Sequence, residues 1–159
     1  MRLRYLAAAV VAGALAALAI SSALAMVSGS SARGPFFAVM TGKKEVSPSG
    51  KKGVGDKNGR GGFTAVIDGG QLCFGIVVKN LSTPVAAHIH KGSPKVAGPI
   101  KLPLTPPTSG NPGASSGCVS IGSKLARRIR KNPRKYYVNV HTTDFPGGAI
   151  RGQLFAKTK

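Results

Sequence analysis

The amino-acid sequence predicts an all-β domain with one short helix near residues 124–131, on three observations. In Gln71-Leu72-Cys73-Phe74-Gly75-Ile76-Val77-Val78, the side chains of Leu72, Phe74, Ile76 and Val78 fall on one face, the period-two pattern of a half-buried strand. Gly69-Gly70 joins this run to Phe63-Thr64-Ala65-Val66-Ile67-Asp68, and a two-glycine loop accepts the positive φ that closes a hairpin. Only one stretch, around Leu125 and Ile129, has an i, i+4 apolar stripe between start and stop signals.

In chain order, Phe36 to Met40 forms the first strand, and Gly42 to Gly62 is a Gly/Lys-rich connection with weak structural signals. The hairpin of residues 63–68 and 71–79 follows. After Asn80 to Pro84 comes a strand containing Ala86-Ala87-His88-Ile89-His90, then a turn from Lys91 to Gly98. Pro99 to Leu104 is a strand with an edge-type proline. Thr105 to Gly117, rich in Pro, Gly and Ser, reads as a loop before the strand Cys118-Val119-Ser120-Ile121. Ser123 caps the helix and Asn132-Pro133 stops it. Tyr136 to Thr142 and Ala149 to Phe155 are the closing strands, with Thr143 to Gly148 as the turn between them.

The amino terminus has the organisation of an export signal. Met1-Arg2-Leu3-Arg4 is a basic start, Leu6 to Ile20 is apolar, and Ala23-Leu24-Ala25 suits signal peptidase, which puts cleavage after residue 25. If residues 5–27 are not cleaved, they are long enough to act as a signal anchor. Residues 26–35 then form a flexible linker and residues 36–159 a domain of about 125 residues, enough for one core. The expected location is secreted or extracytoplasmic, in the cell envelope.

Charge narrows the partners. The chain has 23 basic residues against 4 acids, a formal net charge of +19. A surface of this sign adheres to polyanions, so anionic envelope polymers or a lipid surface are expected partners, and export makes intracellular nucleic acid the least expected. On the helix, Lys124, Arg127, Arg128 and Lys131 face away from the apolar stripe; they read as an anion-binding surface or, alternatively, as the solvated face of an already basic protein. No aromatic residue interleaves this run, so it lacks what single-strand nucleic-acid binders use for stacking.

Cys73 and Cys118 both lie in strand-like runs. In an oxidising compartment they are expected to pair, closing a loop that contributes about 3–4 kcal/mol on the loop-entropy account; the alternative is two separately buried thiols.

The three histidines form the one constellation with chemical potential. His88 and His90 project from one face of their strand, and His141 lies on another strand in Tyr136-Tyr137-Val138-Asn139-Val140-His141. If the face of Ala86, His88 and His90 meets the face of Tyr137, Asn139 and His141, three neutral imidazoles converge as ligands for copper or zinc with a position left open. Asp144 is available as a fourth ligand or as an orienting partner, or simply as the first residue of the turn. The plain alternative is that each histidine satisfies strand-end hydrogen bonds or packs beside Tyr136 and Tyr137.

Enzymatic readings lack parts. No serine triad has a recognisable elbow, no phosphate-cradling glycine loop occurs, and Glu45 reads as a lone carboxylate without the partner acid that glycoside hydrolysis uses. The expectation is a non-catalytic module.

Ala87-His88-Ile89-His90 with Gly98-Pro99, then Tyr137-Val138-Asn139-Val140-His141-Thr142 through Phe145-Pro146-Gly147-Gly148-Ala149-Ile150-Arg151-Gly152-Gln153-Leu154, resembles the CHRD domain, the module named after chordin. Thr41 to Pro48 is similar to that family's opening motif. The resemblance spans roughly residues 36 to 155 and implies an extracytoplasmic immunoglobulin-like or superoxide-dismutase-like antiparallel sandwich, with no established activity attached. Copper and zinc dismutation needs more histidines than three, and nothing here matches the growth-factor-binding modules of chordin. Glu45 of the opening motif and Arg151 of the closing one are expected to form a structural ion pair. Two readings follow: an exported module binding copper or zinc through the histidines, or a structural or adhesion module docked on anionic envelope polymers through its basic surface.

Overall fold

Phe36, Ala38 and Met40 alternate with Phe37 and Val39 along β1 (Phe36–Thr41), and this inside–outside alternation repeats through most of the sheet. The computed structural model describes residues 35–156; the expected leader at 1–25, its anchor alternative at 5–27, residues 26–34 of the linker and residues 157–159 lie outside them. The other strands are β2 (Arg60–Asp68), β3 (Gln71–Lys79), β4 (Pro84–Lys91), β5 (Ile100–Leu104), β6 (Gly113–Ser120), β7 (Tyr136–Thr142), β8 (Ile150–Gln153) and β9 (Phe155–Ala156), with the helix α1 (Ser123–Lys131) between β6 and β7. The fold is all-β, as the sequence predicts.

The nine strands form one antiparallel sheet in the order β5-β4-β7-β8-β1-β2-β3-β6, with β9 added beside β1. Inward residues from every part of that order share a single core: Phe36 and Met40 of β1, Phe63 and Ile67 of β2, Leu72 and Ile76 of β3, Ile89 of β4, and Val138 and Val140 of β7. A sheet whose one face meets itself must curl, and here it forms a nearly closed barrel-like sheet. Its two edges approach where Ser115 Oγ of β6 donates to the Thr105 carbonyl just beyond β5, at 2.8 Å.

Glycine placement explains the tightest hairpin. Gly69 and Gly70 have φ of 50° and 80°, so both central residues occupy the left-handed region that joins β2 to β3 without splaying them.

Element boundaries differ from the expectation most in four places. Strand β2 begins at Arg60, inside the Gly-rich connection, because residues 60–62 pair with Val77 to Lys79. Strand β6 begins at Gly113, not Cys118: residues 113–117, read as loop for their Gly and Ser content, pair with Phe74 to Val78. Tertiary pairing here overrides weak local propensity. Helix α1 is capped by Gly122 with no side-chain hydrogen bond, so Ser123 opens the first turn and caps nothing. The final strand breaks at Leu154, whose N–H turns to the Tyr136 carbonyl and leaves β8 and β9 on either side.

The Cys73–Cys118 disulfide is present, the two residues standing directly opposite across β3 and β6. It fastens β6, the edge strand, to its one neighbour among the described strands.

Candidate metal centre

Strands β4 and β7 lie side by side and antiparallel, with Ala86 opposite His141, His88 opposite Asn139 and His90 opposite Tyr137. That register puts the two polar faces on the same side of the sheet. His88 and His141 become diagonal neighbours across the strands, within reach of side chains as long as imidazole.

The three rings converge. One nitrogen from each of His88, His90 and His141 lies within 4.8 Å of the others. The closest pair, His88 Nδ1 and His141 Nε2, is 3.2 Å apart. A tetrahedral site with bonds of 2.0–2.1 Å has nitrogen–nitrogen edges of about 3.3 Å. The close pair already matches that edge, and the His90 nitrogen lies within 4.8 Å of both.

Carbonyl oxygens set the tautomers. His90 Nδ1 donates to the Gly98 carbonyl at 2.8 Å, and His141 Nδ1 donates to the Pro146 carbonyl at 2.9 Å. In each neutral ring the lone pair therefore sits on Nε2, the arrangement in which a backbone acceptor orients a metal-ligating imidazole. Nε2 of His90 is buried and has no hydrogen-bond partner. Asn139 stands beside it and favours the protonated ring, yet Asn139 Oδ1 is itself unsatisfied, because the two atoms do not meet in hydrogen-bonding geometry. A cation accepted by His90 would satisfy the orphaned nitrogen.

The electrostatics keep His88 and His90 neutral. Burial first, then the neighbouring His141 and His90, holds the His88 pKa down to about 4. His90 is also shifted down, chiefly by burial. Neutral imidazole is the form that coordinates metal.

The floor beneath the histidines is stiffened by a stack. His90 lies parallel to the Tyr137 ring from the β4 side, with centroids 4.7 Å apart, and the Arg151 guanidinium covers that ring from the β8 side, 3.3 Å from its centroid. Tyr137 Oη accepts from the Gly98 N–H at 3.0 Å, while Arg151 donates to the carbonyls of Ser93 and Val96. Gln153 Nε2 donates to the carbonyls of Gly92 and Arg134. Residues 92–98 are thus clamped over the site, and Gly98 takes part because a Cβ there would fall 1.7 Å from the Lys91 carbonyl oxygen.

Two expected pairings require correction. Glu45 and Arg151 are both buried and feel each other's charge, but no ion pair forms between them among the described residues. Arg151 is occupied by backbone carbonyls and the Tyr137 ring, whereas Glu45 Oε1 accepts from the Val46 N–H and Oε2 has no partner. Asp144 is exposed and is not among the residues that converge; the Pro146 carbonyl fills the orienting role at His141.

On α1, Ala126 and Ile129 are buried and Leu125 is half-buried, while Lys124, Arg127, Arg128 and Lys131 are exposed, as the helical stripe predicts. Tyr137 and Asn139 are the residues whose roles sequence reasoning missed, although their spacing with His141 carried the signal. What the sequence withheld was the pairing of β4 with β7.

Neither a curated protein nor a solved structure matches the chain. Residues 36–154 match the CHRD domain, covering the described sheet from its first strand to Leu154. The chain belongs to the CHRD domain family.

Proposed function

We propose that this protein is an exported, non-catalytic binding module that holds a copper or zinc ion through His88, His90 and His141. The observation that carries the reading is the convergence of three imidazole nitrogens, with the outer nitrogens of His90 and His141 already held by backbone carbonyls. Three histidines leave one coordination position open to water or to a ligand of the metal's recipient. Copper is favoured over zinc because the divalent affinity order places it higher and imidazole suits it. Occupation needs the His88 proton moved from Nδ1 to Nε2, a tautomer change within the neutral ring. Export is supported by the leader-like sequence and the disulfide.

Equilibrium dialysis against copper and against zinc, each followed by metal analysis, tests the reading. The expected result is one equivalent bound, lost in His141→Ala and retained in Asp144→Ala. Equal uptake by the His141→Ala variant and the unaltered chain contradicts it.

A second reading rests on a separate observation. Lys124, Arg127, Arg128 and Lys131 are exposed on one helix, and none meets a carboxylate among the described residues. Docking of this face on anionic envelope polymers is salt-dependent and indifferent to metal.

A further inference from the structure

A second basic surface lies on the far side of the Arg151 and Gln153 clamp from the histidines, with Pro94, Arg151 and Gln153 in its wall. A cleft of about 670 Å³ opens where β1, β9, the Gly42–Lys44 turn and the Pro133–Lys135 turn meet. Lys43, Lys44, Lys52 and Arg134 stand around it, all exposed, and no carboxylate lines it. Its apolar side is formed by Val39, 59 % exposed, and Phe155, 40 % exposed, the latter in ring contact with Phe37 at 5.7 Å.

The cleft is built on fixed parts. Lys44 Nζ donates to the Val39 carbonyl at 2.7 Å, and Gln153 holds the Arg134 carbonyl at 2.7 Å. Beyond Val39 the apolar surface continues along one row of the sheet through Gly62, Val77 and Ala114, where Val77 is again 59 % exposed. Gly62 carries no side chain, and a shallow apolar depression lies there beside Val77 and Ala114.

Charge and apolar exposure together choose the occupant. An anionic polymer would neutralise the cations but leave Val39, Val77 and Phe155 in water. Inorganic phosphate would leave most of the cleft unfilled. The boundary of an anionic bilayer meets both demands, with phosphates at the level of the lysines and acyl chains against the valines and phenylalanine. We infer that this face docks on anionic phospholipid, with Lys43, Lys44, Lys52 and Arg134 on the headgroups and Val39 and Phe155 entering the boundary. The inference requires no metal at the histidines, although Arg151 and Gln153 are common to the cleft wall and the clamp on residues 92–98.

The chain contains no tryptophan, so Val39→Trp and, separately, Phe155→Trp each place a single reporter on this face, and Val85→Trp places one on β4 at an equally exposed position. Each full-length variant is mixed with vesicles of phosphatidylcholine and brominated phosphatidylglycerol. The expected result is a blue shift and strong quenching at positions 39 and 155 and little at 85, with apparent vesicle affinity falling at least about tenfold on adding Lys43→Glu and Lys52→Glu. Because all three reporters share the apolar leader, insertion of that segment alone gives no difference between positions. Equal quenching at 39 and 85, indifference to the charge reversals, or reproduction of the shift by inorganic phosphate overturns the inference.

Discussion

At the residue scale, the buried Glu45 has a pH signature of its own. Burial raises its pKa to about 7 from the ordinary 4.5, against the opposing influence of the Val46 N–H and Arg151. Between pH 4.5 and 7 the native carboxyl keeps a proton that the unfolded chain has released. Its contribution is therefore present in acid and is lost as pH rises to about 7, a change on the order of 3 kcal/mol. His88 and His90, shifted downward, act with the opposite sign: stability rises as pH climbs through the range where the unfolded rings lose their protons. The two effects offset one another in the unaltered chain. Glu45→Gln removes one of them, so urea unfolding of this variant shows stability rising from pH 4.5 to 7 more steeply than in the unaltered chain; parallel profiles contradict the assignment. The same carboxylate explains a glycine. Gly148 has φ of 130°, and a Cβ there would lie 2.5 Å from Glu45 Oε2. Gly148→Ala is expected to cost about 2–4 kcal/mol in denaturant unfolding, combining strain with a clash against a buried group, while Gly147→Ala, with open space around it, costs far less.

At the scale of elements, the loop between β4 and β5 and the edge strand β6 make separate claims. Arg151, Gln153 and Tyr137 hold residues 92–98 against the histidine face, so the loop's order depends on a side chain two strands away. Arg151→Met removes two donors to carbonyls while keeping an apolar stem over Tyr137. Hydrogen exchange at residues 92–98 is expected to accelerate by tenfold or more, roughly the loss of one to two charged hydrogen bonds, with β2 and β3 unaffected. Uniform acceleration across the sheet would contradict a local clamp. For β6, the disulfide closes a loop with a sequence separation of 45 residues. Replacing Cys73 and Cys118 with serine is expected to lower unfolding stability by about 3–4 kcal/mol, measured by urea titration. An unchanged midpoint would show that β6 is held by its ladder alone.

At the scale of the whole molecule, the sequence made legible what depends on local alternation. The hairpin at Gly69-Gly70, β7 and the stripe of α1 all follow from the spacing of apolar side chains, and each is present. The Gly/Ser stretch 113–117 was illegible because nothing in its composition marks a strand; only β3 beside it supplies the hydrogen-bond partners. The histidine site was half legible. Period two places His88 with His90, but the arrival of His141 depends on β7 lying between β4 and β8, a long-range choice encoded in no single segment. The misread Glu45–Arg151 pair shows the same limit, since charge complementarity in the sequence does not reveal that Arg151 is already engaged by carbonyls.

Metal binding and folding stability are coupled in such a site. A cation bound only by the folded state at a free concentration a hundredfold above its Kd adds about 2.7 kcal/mol, and a chelator removes that increment. The most direct test of the central claim is calorimetric titration of the purified chain with copper and with zinc, beside the His88→Ala/His90→Ala variant. One equivalent is expected to bind tightly to the unaltered chain, and none at that affinity to the variant. Weak, indistinguishable heats from both proteins would contradict the metal site.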